Sequence, residues 1–150
     1  MWYIQGMKAY DVAKYFLTLQ EDDARDISNL KLQKLLYYAQ GYHLALFARP
    51  LFDDRIEAWI HGPVVPAIYF QYKNHGGEPI PPPDDFDSAL HDCETIEFLD
   101  EVYGAVGQFT AWKLREMTHA EPPWKEAFNP GDPGDISHDA MRSYFSTLVN

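Results

Sequence analysis

Cysteine is almost missing from this chain of 150 residues: Cys93 stands alone, which rules out an internal disulfide and a cysteine-rich zinc site. Nothing around it marks an activated thiol, so it reads as structural filler. Basic residues are scarce as well. Twelve Lys and Arg stand against 23 Asp and Glu, a formal net charge of −11. Such a balance repels the phosphate backbone on which most nucleic-acid affinity depends. The single local cluster, Lys31 and Lys34, is followed by no basic residue until Arg49. Direct nucleic-acid reading is disfavoured, and soluble protein partners fit the surface better. Apolar runs never reach bilayer-spanning length, and residues 1–6 lack the basic start and apolar stretch of a signal peptide. The chain therefore reads as cytoplasmic, without a membrane partner.

Chemical motifs are missing too. There is no phosphate-cradling glycine loop and no dinucleotide fingerprint, and Gly76 and Gly77 lead into Glu78 and Pro79 rather than a lysine-bearing helix. No serine nucleophile elbow is present. The six histidines (His43, His61, His75, His91, His119 and His138) never fall within one helical turn of each other, and neither zinc spacing nor a calcium loop occurs. The expectation is no catalytic residue, no metal and no cofactor. Asp53–Asp54 and Asp84–Asp85 sit where turns want aspartate. Glu94, Glu97 and Glu101 form one solvated face of a helix.

Aromatics are abundant, with four Trp, ten Tyr and nine Phe; such residues fill cores, and Tyr and Trp also anchor interfaces. Helical spacing of Ala9, Val12, Phe16 and Leu19 predicts a first helix over 8–19. Ser28 is a natural N-cap for a long second helix, with Leu32, Leu35, Leu36, Ala39, Tyr42 and Leu46 as its core stripe. Gly41 on another stripe implies close approach by a second backbone. The period then changes: Ile56, Ala58 and Ile60 alternate with Arg55, Glu57 and Trp59, as in a strand belonging to a hairpin or strand pair. Pro63 suits the first turn of a third helix carrying Val64, Ile68 and Tyr72 inward. After a proline-rich loop at 79–85, Ile96, Leu99, Tyr103 and Val106 predict a fourth helix. Short helices follow near 109–117 and after Pro122, and a capped closing helix over 137–149 turns Met141, Tyr144, Phe145 and Leu148 inward. The sum is a mainly α fold with a minor β element. It is a compact single-domain bundle of about six to seven helices, with residues 1–6 an N-terminal extension and 7–150 the domain.

Residues 28–74 hold the features that point to a protein partner. Lys34, Tyr37, Tyr38, Glu57, Trp59, His61 and Tyr69 cluster around strand and turn. Trp59 serves equally well in a core or as an interface anchor. Glu57, a charge in an apolar strand, needs a partner, and a salt bridge to Lys34 that fixes helix against strand is the structural alternative to partner contact.

Taken together, KLLYYAQG at 34–41, EAW at 57–59, GPVVP at 62–66 with Tyr69, and the later Thr118, His119, Glu121 and PWKEA at 123–127 closely resemble the Panacea domain, the SocA/GepA type of antitoxin. The resemblance runs over nearly the whole chain from Met7. Two positions depart from the family pattern: Ala48–Arg49 replaces a glycine before the Pro50–Leu51 pair, and His61 stands where tyrosine is common. The resemblance implies a bacterial or phage-borne antitoxin that binds a toxin encoded beside it. It also implies Gly41, Gly62, Pro63, Val64, His119, Pro123 and Trp124 as signature or partner-binding positions, alongside Lys34, Tyr37, Tyr38, Glu57, Trp59, His61 and Tyr69. A proteolytic adaptor that hands the toxin to an ATP-dependent protease is the alternative. Behind it stand an unrecognised enzyme using Glu57, His61, His119 and Glu121, and a DNA-binding autoregulator.

Overall fold

The computed structural model describes residues 7–84 and 92–149; the expected extension at 1–6, His91 and Asp85 lie outside the described residues. Seven α-helices and a three-stranded antiparallel sheet are described, which agrees with the expected mainly α bundle.

Helix α2 (Asn29–Phe47) is the axis. Ser28 caps it, its side chain accepting from Lys31 N at 3.3 Å, and Ala48 ends it in the left-handed conformation. Its flanks are covered by α1 (Ala9–Thr18), α3 (Pro66–Tyr72), α4 (Cys93–Val106), α5 (Ala111–His119) and α7 (His138–Ser146). Every residue from 31 to 41 is consequently buried, so the helix has no outer face there. The expected inner stripe stops short of Leu46, which is 50% exposed; it lies in the last turn, beside a groove lined by Tyr42, Phe98, Val102 and Val149.

Buried polar side chains on α2 hold the loops around it. Gln40 accepts from Leu51 N at 2.7 Å and donates to the Phe52 carbonyl at 2.7 Å. Gln33 accepts from Val65 N at 2.9 Å. Lys31 Nζ reaches Asp26 and the Gly107 carbonyl, each at 2.7 Å. The backbone groups among these would be left unpaired by burial without such bonds, and Asp26 and the Gly107 carbonyl together satisfy the fully buried Lys31 ammonium.

Strand β1 (Ile56–Trp59) lies between β2 (Gly62–Val64) and β3 (Asp135–Ile136). Glu57 faces Val64, Ala58 faces Pro63, and Ile56 faces Ile136. Pro63 and Val64 are thus strand residues and do not belong to the third helix. An edge strand tolerates a proline because that position needs no N–H for a further ladder. It is Pro66 that opens α3. Ile60 leaves the strand for the exposed turn. Cys93, at the start of α4, is exposed rather than filling the core. Leu148, beyond the end of α7, is 48% exposed instead of inward. Asp54 does more than shape a turn: its carboxylate accepts from Ala9 N at 2.9 Å and caps α1 from a distance.

Candidate protein-interaction site

Alternation along β1 sends Ile56 and Ala58 into the core and leaves Glu57 and Trp59 half-buried on the other face. Two residues apart on one face, they bond to each other: Trp59 Nε1 donates to Glu57 Oε1 at 2.9 Å, and Arg55 pairs with Oε2 at 3.0 Å. The expected salt bridge between Glu57 and Lys34 is not made. Lys34 approaches the sheet from the core side, where its ammonium donates to the Pro63 carbonyl at 3.0 Å. Burial, and then the charge of Arg115, lower its pKa from 10.5 to about 7. Gly62 completes this contact. Its φ of +115° disfavours a side chain, and a Cβ there would lie 2.5 Å from Lys34 Cε.

The turn after β1 carries His61, exposed at its tip. Arg115 Nε donates to His61 Nδ1 at 3.0 Å; a guanidinium only donates, so Nδ1 is the acceptor and the neutral ring carries its proton on Nε2. The same guanidinium lies 4.4 Å from the centre of the Trp112 ring. One turn further along α5, His119 stacks on Trp124 at 3.9 Å, and Trp124 stacks on Phe128 at 4.6 Å. Trp124 belongs to α6 (Pro122–Ala127), with Pro123 buried beside it. Its Nε1 donates to the Trp59 carbonyl at 2.7 Å, tying α6 to the strand. Burial, then the Arg115 charge, lowers the pKa of His119. On the far side, Tyr69 packs edge-on to Trp59 at 5.0 Å, and Phe70 follows at 6.2 Å.

Tyr37, Tyr38 and Gly41 belong elsewhere, to a buried knot between α2 and α7. Tyr37 Oη donates to Glu121 Oε1 at 2.9 Å, and Tyr38 Oη to Oε2 at 2.7 Å; the Tyr144 hydroxyl also favours the charged form of this carboxylate. Desolvation raises the Glu121 pKa, and the three hydroxyls work against that rise. Both Tyr37 and Tyr38 are pushed upward by burial and by the carboxylate. Gly41 makes room for an aromatic ring rather than a second backbone, since a Cβ there would lie 2.1 Å from the Phe145 ring.

The fourteen expected site residues thus divide. Lys34, Glu57, Trp59, His61, Gly62, Pro63, Val64, Tyr69, His119, Pro123 and Trp124 gather around the β1–β2 turn, and three lie in the knot. The enzyme reading needed Glu57, His61, His119 and Glu121 as one working set. Each is instead engaged with different partners: Glu57 with Trp59 and Arg55, His61 with Arg115, His119 with Trp124, and Glu121 with tyrosines. Among the described residues no three His, Cys, Asp or Glu side chains come together as metal ligands would.

Around the turn the surface is grooved. Trp59 and Ile60 form a ridge between a depression of about 290 Å³, lined also by Leu30, Tyr69 and Lys73, and one of about 470 Å³, lined by Phe128, Pro130 and Pro133. The sequence reading passed over Trp112, Arg115 and Phe70, and it placed Ile60 in the strand with Ile56 and Ala58. The first two had a legible signal, since Trp112, Arg115 and His119 recur at helical spacing along α5.

The model of the family described as "Antitoxin SocA-like, Panacea domain" matches residues 32–125. The chain is also similar to Antitoxin SocA of Caulobacter vibrioides (strain NA1000 / CB15N). The two are 37% identical over 141 residues, an alignment that covers 85% of this chain and 74% of that protein. No solved structure matches the chain.

Proposed function

This chain belongs to the SocA-like Panacea-domain antitoxin family, and from that premise we propose that it neutralises a toxin, encoded nearby, by binding it directly. The observation that carries this reading is how the polar signature side chains are used. Lys34 is bound to a backbone carbonyl, Glu57 to Trp59 and Arg55, and Glu121 to buried tyrosines. A side chain held this way serves to position a surface. What stands free at the same corner is apolar and aromatic area, the material of interface hot spots.

The test is co-expression. Cells producing the product of the adjoining reading frame should stop growing, and this chain should restore growth while the half-life of that product stays unchanged. Restored growth with a shortened half-life assigns the chain instead to delivery of the toxin to an ATP-dependent protease. Failure to restore growth removes the antitoxin reading.

A further inference from the structure

We propose that the ridge of Trp59 and Ile60, with the grooves on either side, is the docking surface, and that its occupant is a toxin segment carrying bulky apolar side chains beside carboxylates. The inference rests on the antitoxin reading above and adds the place and the chemistry of contact.

Three observations carry it. First, large apolar side chains are left uncovered here: Ile60 is 65% exposed, Phe70 58% and Trp112 56%. Arg115 joins Trp112 to the tip of the turn by covering its ring and bonding His61, so these positions form one continuous face. Exposed apolar area of this kind rimmed by polar groups marks an interaction site.

Second, charge is segregated. The chain has 23 acidic residues, yet no Asp or Glu lines either groove, and Glu57, the carboxylate beside Trp59, is engaged by Arg55 and by the indole N–H. Cations do border the face. Lys73 lines the smaller groove, and among the described residues neither Lys73 nor Arg115 forms an ion pair with a carboxylate. A basic, apolar face on an acidic molecule is complementary to acidic groups on a partner, and the surrounding negative surface repels a partner that approaches elsewhere with the same groups.

Third, the face is rigid where it must be. Trp59 is held by Glu57 through its indole N–H and by Trp124 through its carbonyl, so little side-chain freedom is lost on binding.

The test measures the affinity of the purified product of the adjoining reading frame for five versions of this chain, each checked for an unchanged melting curve. Wild type should bind, more weakly as salt rises. The pair Ile60→Asp/Phe70→Asp and the pair Lys73→Glu/Arg115→Glu should each weaken binding about tenfold or more; Lys73→Glu alone should weaken it too and leaves the bond to His61 intact. A control pair on another face, Leu46→Asp/Leu148→Asp, should bind like wild type. Loss in the control pair but not in the face pairs overturns the surface while leaving the antitoxin reading standing. Loss confined to the apolar pair overturns the acidic character of the occupant. Self-association of the chain that the apolar pair abolishes, with toxin affinity unchanged, assigns the face to a second copy and overturns the proposal. No binding by wild type removes the antitoxin reading and this surface with it.

Discussion

At the scale of single residues, two buried ionisable groups carry opposite pH signatures. Lys34 has its pKa lowered to about 7 in the fold, from 10.5. Between those values the unfolded chain keeps a proton that the folded chain has released, so this residue makes stability rise with pH across that window, by at most about 1.4 kcal/mol per unit. In urea titrations at pH 6.5 and pH 9, the stability of wild type relative to Lys34→Met should therefore increase with pH. Glu121 behaves the other way. Its folded pKa is raised above 4.5, so its contribution is full below 4.5 and is lost as pH climbs through the raised value. Glu121→Ala strands buried tyrosine hydroxyls, each costing about 1–3 kcal/mol, and should lower stability by about 2–5 kcal/mol. Glu121→Gln keeps an acceptor and the shape, and should recover most of that loss in the same urea assay.

Between elements, the tightest fit is α2 against α7. Gly41→Ala would gain about 1 kcal/mol of helix propensity, but a methyl group 2.1 Å from the Phe145 ring overpacks the contact at a cost of about 1–3 kcal/mol. The substitution should destabilise in a thermal melt, and less so in a Phe145→Leu background, because the two sites share one contact. The helices were legible from apolar spacing and caps: Ser28, Thr110 and Ser137 each accept from a backbone N–H three residues on. Short β elements were harder. A proline that reads equally well as a helix start or an edge-strand residue misplaced Pro63 and Val64, and a strand as brief as Asp135–Ile136 has too little alternation to be seen. Residues near the turn were recognisable by type, whereas their partners were not. The Glu57 pairing was missed because it is set by which face of the strand the side chain takes, and the tyrosine bonds to Glu121 span more than eighty positions of sequence.

For the whole molecule, the net charge of −11 predicts weak, non-specific attraction to DNA at most. A gel-shift assay on the chain's own promoter at low salt should give no specific complex, and a specific shift would revive autoregulation. The same charge opposes self-association in general and concentrates the attractive area at the groove around Trp59 and Ile60. The described residues include no helix long and apolar enough to cross a membrane. Binding is the claim on which the proposed function stands. Its most direct measurement mixes the purified chain with the purified product of the adjoining reading frame, with no protease present, and follows that product's toxic activity. The account predicts a saturable complex and loss of the activity in proportion to the complex formed; full activity beside an excess of this chain would contradict it.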